Sequence, residues 1–307
     1  MVRSFGLAIV AVVLSCLLNS PVLAQVTLEL KYPEESKTTI HTEAKTNQTL
    51  TLAGMDIETK STTFLVMTKS IGKRTDEGSL PVVEKISVMQ TDVGLPGGLR
   101  IEFDSANPDK KAENPLLEPL MERLRVTFKT PVTTILDEKY KVAAIKLPEG
   151  LADSLDDANK SLFDPEKRKK AAEQARSYLP DGPVKPGDSW DRSIDADFGG
   201  GQTMAFRMKY SYAGTVEQDG RTLDKISGKA TDVSYSVGEN SAGLKVTKSD
   251  LKVTESDETI LFDRERGTVQ QKTAKLSIKG PLTLVINGQE LDGKVDLTIE
   301  EKTTMQK

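Results

Sequence analysis

Residues 203–220 read TMAFRMKYSYAGTVEQDG, with an unusually clear alternation of apolar and polar residues. Its apolar residues fall on one parity, namely Met204, Phe206, Met208, Tyr210, Tyr212 and Val216. Its polar residues fall on the other, namely Thr203, Arg207, Lys209, Ser211 and Thr215. A period of two with one apolar face is typical of a half-buried antiparallel strand. The Asp219-Gly220 pair that follows tolerates positive φ angles, so it predicts a two-residue hairpin turn.

The same alternation continues on both sides of this stretch. A second hairpin is predicted at Asn287-Gly288, flanked by the apolar residues Leu282, Leu284, Ile286, Val295, Leu297 and Ile299. The N-terminal half alternates in three runs, which are Val26, Leu28, Leu30 and Tyr32; Ile40, Ala44, Leu50 and Leu52; and Leu99, Ile101 and Phe103. The apolar parity switches between Ile226 and Val233 and again between Val246 and Leu251. Such switches predict β-bulges in a curved sheet.

The middle of the chain has a different pattern. Nine of the fourteen prolines lie at positions 108–186, and proline is kept out of central strands. Asn114-Pro115 and Asp164-Pro165 each place a capping side chain before a proline, which is a helix start signal. The apolar residues after them have helical spacing, as do those of a third segment at 151–162. These residues are Leu116, Leu120, Met121 and Leu124; Ala171, Ala172, Ala175, Tyr178 and Leu179; and Leu151, Leu155, Ala158 and Leu162.

These patterns predict an α+β protein. Its main feature is a large curved antiparallel β-sheet, half-barrel-like, with a helical segment inserted mid-chain. We expect a signal peptide at 1–24 and a single β-rich domain at 25–307. Within that domain, two β halves at 25–147 and 187–307 are joined by a helical and proline-rich middle at 148–186.

The first 24 residues have the features of an export signal. Arg3 precedes an apolar run at 5–18, and Val22-Leu23-Ala24 presents small residues for cleavage between Ala24 and Gln25. The run is shorter than the roughly 20 apolar residues of a spanning helix, so we expect no transmembrane segment in the mature chain. A second interpretation is a lipoprotein anchored through Cys16. Either way the protein is exported, and we expect it to be periplasmic or secreted.

Composition excludes several classes of site. Cys16 is the single cysteine, so cleavage after Ala24 leaves a cysteine-free mature chain. Disulfides, thiolate nucleophiles and cysteine-based metal sites are then excluded. The net charge of −4 becomes one unit more negative when Arg3 is removed. Nucleic acid is therefore not an expected partner.

The polar residues do not form a catalytic pattern. His41, the single histidine, shares a strand face with the polar residues Thr39, Glu43 and Lys45 and lacks a partner nucleophile. Two oxygen-rich clusters, one of Asp104, Asn107 and Asp109 and one of Asp195 and Asp197, lack the spacing of a calcium loop, so we interpret them as backbone turns. We therefore expect no catalytic residue, no metal site and no cofactor, and hence not an enzyme.

The best candidate for a ligand-binding surface is the apolar face of residues 204–212. Methionine adapts to irregular apolar ligands, and tyrosine adds a hydroxyl at the rim. The candidate residues are Met204, Phe206, Met208, Tyr210, Tyr212 and the single tryptophan, Trp190. Two interpretations stay open, since the same face would serve as ordinary sheet core, and Trp190 would then anchor the helical middle on the second β half.

The layout also supports a family comparison. The signal peptide, the long antiparallel sheet, the mid-chain helices and the Pro-Gly-Asp-x-Trp element at 186–190 together resemble uncharacterised secreted β-rich proteins of bacteria. More distantly, the layout is similar to half-barrel carriers that shuttle lipoproteins or lipids between bacterial membranes. This resemblance implies a concave sheet that holds acyl chains, helices that act as a lid, and residues 204–212 in the cavity.

Two functional hypotheses follow. In the first, this is an exported cell-envelope protein that binds an apolar ligand or lipid without catalysis. In the second, it is a structural or protein-interaction scaffold with a packed core and no ligand, whose partner is an envelope protein. The two differ in whether the apolar side of the sheet is open or filled by the chain itself.

Overall fold

The computed structural model describes residues 25–151, 155, 160, 162–199, 202–237, 244–286 and 288–306. The predicted signal peptide, Cys16 and the first residue of the cleavage site, Ala24, lie outside these residues. Much of the third helical segment, including Ala158, and Asn287 of the second hairpin also lie outside them. None of the helices in the described part of the chain is long and apolar enough to cross a membrane.

One antiparallel sheet of thirteen strands dominates the structure, which confirms the predicted fold class. The strands run in the order β6-β5-β3-β2-β1-β13-β12-β11-β9-β8-β7, with β4 beside β3 and β10 beside β12. Their bounds are β1 (Lys37–Leu52), β2 (Met55–Ile71), β3 (Leu80–Gly94), β4 (Arg100–Asp104), β5 (Val132–Leu136), β6 (Val142–Lys146), β7 (Ser189–Gly199), β8 (Gln202–Gln218), β9 (Arg221–Val237), β10 (Leu244–Ser249), β11 (Lys252–Asp263), β12 (Thr268–Ile286) and β13 (Gln289–Gln306).

The strands of the two β halves meet in the middle of this sheet. Strand β1 pairs with β13 in unbroken register from Thr39↔Gln306 to Leu52↔Gly293. On its other side β1 pairs with β2, and β13 pairs with β12. The early and late strands therefore form one continuous surface.

The predicted turns and bulges are found where the sequence places them. Asp219 and Gly220 have φ angles of 50° and 72° between β8 and β9, and Gly288 has a φ of 82° between β12 and β13. Register shifts occur opposite residues 230–232 and between residues 246 and 248, which matches the two predicted parity switches. A further hairpin at Ala53-Gly54 was not predicted, because alanine rarely adopts the positive φ of 48° that it has here.

The N-terminal segment, residues 25–33, corrects one prediction. Its alternation predicted a strand, but its single ladder contact among the described residues is the bridge between Val26 and Val184. Leu28 and Tyr32 are nevertheless buried, at 3% and 6% exposure. The alternation arises because an extended segment that lies across an apolar face also buries every second side chain.

This segment shows how strongly the sheet curves. Leu28 belongs to an apolar cluster with Ile226 of β9, and Tyr32 belongs to one with Val82 of β3. Four residues of extended chain span at most about 14 Å. Strands β9 and β3 are six strand spacings apart, which is about 29 Å in a flat sheet. The N-terminal segment therefore crosses the concave side of a curved sheet.

Two α-helices are described, α1 (Glu118–Lys129) and α2 (Pro165–Gln174). The predicted start at Asp164 is confirmed, and Asn114 caps the 3-10 turn that leads into α1. Asn114 Oδ1 accepts a hydrogen bond from Leu116 N at 3.0 Å, and Asp164 Oδ1 accepts one from Lys167 N at 2.9 Å. The predicted apolar face of α1 is partly wrong, because Leu116 and Leu120 are 82% and 41% exposed. Residues 115–117 form a 3-10 turn with three residues per turn, which shifts the buried face to Leu117 and Met121.

Helix α2 lies against both edge strands of the sheet, β6 and β7. Lys170 Nζ is 2.6 Å from Asp195 Oδ2. The side-chain amide of Gln174, in the orientation that satisfies both of its polar atoms, donates to Asp195 O at 2.8 Å and accepts from Asp195 N at 3.2 Å. Arg192 of β7 donates to the carbonyl oxygens of Ser177 and Leu179 at 3.0 and 2.9 Å. The chain thus covers its own sheet edges with a helix.

We predict that Leu28→Ala lowers the free energy of unfolding by about 3 kcal/mol, because it leaves a cavity where the N-terminal segment meets the sheet. The control, Leu116→Ala, removes the same atoms from an exposed site and should change stability by less than about 0.5 kcal/mol. Urea unfolding followed by circular dichroism measures both. Equal effects of the two substitutions would contradict the position given to the N-terminal segment.

Candidate functional site

Four apolar clusters lie among the described residues, and three of them include residues from the N-terminal segment or the helical middle. The first, which we call the N-terminal core, joins Leu28 and Val184 to Tyr210, Tyr212, Ile226, Ile260 and Phe262. The second surrounds Tyr32, and the third packs Leu117 and Met121 of the α1 region against β3 and β4. At these places the chain supplies its own second layer.

The fourth cluster is different, and we call it the open apolar patch. Its buried members are Met204, Val233, Leu251, Ile278 and Leu297, and its half-buried members are Phe206, Tyr235, Val253, Leu276, Val295 and Ile299. All lie on strands of the sheet except Leu251, which connects β10 to β11. Among the residues that the structure describes, no helix or crossing segment contributes to this patch.

The structure divides the predicted binding surface between two of these clusters. Tyr210 and Tyr212 are each 2% exposed within the N-terminal core, and Met208 packs against that core. Met204 and Phe206 belong to the open apolar patch. The N-terminal segment therefore covers the part of the predicted surface at Met208, Tyr210 and Tyr212, and only the part at Met204 and Phe206 remains free of it.

Trp190 lies with the covered half. Its ring stacks on Tyr210, with centroids 6.1 Å apart and planes inclined by 26°. It packs against the N-terminal core together with Tyr178 and Leu179, which follow α2. Within the described part of the chain, its buried Nε1 has no hydrogen-bond partner. This position is that of an anchor between the helical middle and the second β half.

A polar network holds Tyr212 in place. Its hydroxyl donates to Asp224 Oδ1 at 2.7 Å, and Arg264 Nε donates to Asp224 Oδ2 at 2.9 Å. Asp224 is 1% exposed, so its charge is matched by a guanidinium and a phenol. Burial, together with the adjacent Asp224 carboxylate, raises the pKa of Tyr212 to about 12.

A charged ledge separates the N-terminal core from the open apolar patch. Lys272 Nζ lies 3.2 Å from Glu258 Oε1 and 3.8 Å from Glu301 Oε1. Burial alone would lower the pKa of Lys272, but the two carboxylates raise it overall. The ledge requires Gly228, since a Cβ there would lie 2.7 Å from both Glu258 Oε2 and Tyr210 Cε1. Polar and apolar rows thus lie side by side on the concave face.

Sequence reasoning missed most of the open apolar patch. Leu276, Val295 and Ile299 show the alternation of buried strands, but their place in one cluster with Phe206 depends on the register of four successive strand pairs. Tyr235, whose hydroxyl donates to Gln202 Oε1 at 2.8 Å, was also missed. The period-two signal identifies a face and does not say which strands share it.

The remaining polar candidates lie away from the concave face. His41 is half-buried on the opposite face with its ring edge-on to Phe64, at 6.2 Å between centroids. Asp104 Oδ1 accepts from Ala106 N at 2.9 Å, which is the backbone turn that we expected. The same interpretation is wrong for Asp195 and Asp197, which lie within strand β7, where Asp195 forms an ion pair with Lys170. Within the described residues, no group of three or more His, Cys, Asp or Glu side chains is placed to hold a metal ion.

Comparisons with known proteins give weak likenesses. No protein-family model and no curated protein matches the chain. Among solved structures, lipovitellin, described for its lipid–protein interactions, aligns over 90% of this chain and 26% of its own, at 8% identity and a TM-score of 0.43. This chain therefore spans about a quarter of that protein. The outer membrane protein OprG from Pseudomonas aeruginosa covers 92% of this chain and 99% of its own, at 7% identity and a TM-score of 0.22.

A candidate exported protein with a YmcC-like fold from Bacteroides fragilis covers 89% of this chain and 98% of its own, at 7% identity and a TM-score of 0.20. These likenesses do not identify a family. Function is therefore inferred from the residues of this chain alone.

The tyrosine geometry predicts a loss of stability in alkali. The pKa of Tyr212 is raised from 10.0 to about 12, so its contribution to stability is complete below pH 10 and is lost as the pH rises through 12. Urea unfolding across this range should show a smaller loss in Tyr212→Phe than in the parent protein. An identical pH dependence in the two proteins would contradict the burial of this phenol.

Proposed function

We propose that this protein is a non-catalytic, exported binding protein of the cell envelope that holds an apolar ligand, such as an acyl chain, on the open apolar patch. The observation that carries this proposal is that, among the described residues, no second layer packs on the open apolar patch. A sheet buries its apolar face against another element, as three of the four clusters do here. The fourth leaves large apolar side chains only half-buried on a concave surface.

The shape and chemistry of the patch suit an elongated apolar molecule. Phe206, Val253, Leu276 and Ile299 come from four different strands, so the patch extends across the sheet. Covering a further 100 Å² or so of this apolar surface would contribute about 2.5 kcal/mol. The hydroxyl of Tyr235 is a polar group at the patch, where it donates to Gln202 Oε1 and its oxygen can accept a hydrogen bond from a ligand.

The charged ledge determines where a polar end of the ligand would lie. On the same strand face, Glu301 lies two residues from Ile299 and Lys272 lies four residues from Leu276. A ligand with an apolar chain over the patch would bring a polar end to this ledge. Lys272 and Glu301 remain 36% and 35% exposed in their side chains, so they are accessible to such a group.

The competing hypothesis is a scaffold whose patch is covered by an envelope protein. The packed N-terminal core and the clusters around Tyr32 and Met121 favour a rigid framework, which either function requires. The two hypotheses differ in the occupant of the patch. A small apolar probe separates them, because a carrier binds it in the absence of any other protein.

The neutral dye N-phenyl-1-naphthylamine tests the proposal. We expect saturable binding with enhanced fluorescence, weakened at least tenfold by Ile299→Gln, because an amide in the patch would lose water without gaining a partner. The matched control is Glu300→Gln, the adjacent exposed residue on the opposite strand face, which should change affinity less than twofold.

Both variants must first retain the thermal unfolding of the parent protein, and Leu276→Gln provides a second substitution if Ile299→Gln does not. Dye binding that is equal in the two variants would place the dye elsewhere. An absence of binding in the parent protein would favour the scaffold.

A further inference from the structure

The concave face has a second cavity system, at the end of the sheet away from the open apolar patch. An outer cleft of about 1040 Å³ lies between the N-terminal segment, the β8–β9 hairpin, the β11–β12 turn and the end of β13. An inner pocket of about 240 Å³ lies between the N-terminal segment, the sheet and α2. Both are lined by Lys31, Tyr32, Pro33, Ser36, Thr38 and Met305, so the cleft leads into the pocket.

Three basic residues, Lys31, Lys69 and Arg176, and one carboxylate, Glu84, line the inner pocket, and the Nζ of Lys31 is already bonded to Glu265 O. Lys69 Nζ lies 3.9 Å from Glu84 Oε1, and it is 5.2 Å from the centroid of the Tyr32 ring. The guanidinium carbon of Arg176 is 5.4 Å from the same ring centroid. Tyr32 is thus the common neighbour of Lys69 and Arg176, and its own position is fixed by burial in the second cluster.

Lys69 and Arg176 have hydrogen-bond donors to spare. Among the described residues, Lys69 Nζ makes no hydrogen bond, and Glu84 is its one ion-pair partner. Arg176 donates through Nη1 to Tyr140 O at 2.6 Å and makes no other hydrogen bond to described residues. A lysine has three donors and an arginine five. Burial lowers the pKa of Lys69, which reflects the loss of water around a charge that the Glu84 carboxylate offsets only in part.

The charge around the two cavities is opposite to that of the whole chain. The basic lining residues are Lys31, Lys37, Lys69, Arg176, Arg221 and Arg266. The acidic ones are Glu84, Asp219 and Glu265. The lining therefore carries three more positive than negative charges, whereas the chain has a net charge of −4. A concave basic surface on an acidic protein attracts anions into the cleft.

The inner pocket also has apolar walls, formed by Leu30, Ile71, Val82, Val269 and Met305. Its volume corresponds to about eight groups at the roughly 30 Å³ that a water molecule occupies in the liquid. Apolar walls beside the free hydrogen-bond donors of Lys69 and Arg176 are suited to a ligand that has a small apolar body and one anionic end.

We propose that the inner pocket is a binding site for a small carboxylate with a short apolar chain, whose anionic end is held by Lys69 and Arg176. The outer cleft is its entrance. This site is separate from the open apolar patch and does not depend on the function proposed for that patch.

Calorimetric titration with hexanoate tests the site, since hexanoate has eight non-hydrogen atoms. The comparison ligands are 1-hexanol and hexylammonium at the same ionic strength, which share the chain and lack the negative charge. We expect hexanoate to bind one per chain and at least tenfold more tightly than either. Equal affinity for 1-hexanol would overturn the proposal, because the cations would then contribute nothing.

Substitutions on β2 and β3, where Lys69 pairs with Glu84, test whether hexanoate binds in the inner pocket. Lys69→Met should weaken hexanoate at least tenfold, and Lys69→Arg should restore affinity to within about threefold of the parent. The control is Lys85→Met, an equal charge change at the exposed residue next to Glu84 and on the opposite face. It should alter affinity less than twofold. If Lys69→Met does not fold, Lys69→Met combined with Glu84→Gln removes the ion pair as a unit and carries the same expectation.

Three results would contradict the site. These are unchanged hexanoate binding without Lys69, a loss as large in Lys85→Met, and binding of inorganic phosphate as tight as that of hexanoate. Ile299→Gln in the open apolar patch should leave hexanoate affinity unchanged. The two proposals can therefore fail independently of each other.

Discussion

The pairing of β1 with β13 is the interaction on which the rest of the structure depends. It joins the strands of the two β halves through fourteen residue pairs, from Thr39↔Gln306 to Leu52↔Gly293. These residues are far apart in sequence, so bringing them together costs the entropy of closing the intervening chain, which local contacts do not offset. Pairing between such distant residues makes folding slow. Once it forms, the concave face becomes one surface, and residues as distant in sequence as Thr42 and Thr303 share it through a hydroxyl hydrogen bond of 3.1 Å.

The two ends of this surface differ in what covers them. At one end, the N-terminal segment crosses from β9 to β3 and fills the concavity with Leu28 and Tyr32, and helix α2 covers the adjoining edge strands. At the other end, the open apolar patch has side chains of the same kind but no crossing segment among the described residues. The charged ledge around Lys272 lies between them. The contrast between a filled end and an uncovered end supports a binding function more strongly than the apolar composition alone.

Features fixed by local chemistry could be predicted from the sequence. The hairpins at Asp219-Gly220 and Gly288, the caps at Asn114 and Asp164 and the alternation of residues 203–216 each depend on residues close in the chain. Predictions of features that tertiary contacts determine were wrong or incomplete. The N-terminal segment has the alternation of a strand because it packs on a sheet instead of joining one, and Leu116 is exposed because a 3-10 turn shifts the phase of α1. The candidate surface of residues 204–212 is divided between two clusters because the segment that covers Tyr210 and Tyr212 lies about 180 residues earlier in the chain.

The most direct test of the account is native mass spectrometry of the protein purified from its own host, followed by organic extraction of whatever it carries. We expect a non-covalent adduct with one apolar, acyl-chain-containing molecule per protein, which extraction removes. An Ile299→Gln variant prepared in the same way should carry less of it. A parent protein with no adduct, recovered under conditions that preserve other lipid complexes, would contradict the proposal that the open apolar patch is a ligand-binding surface.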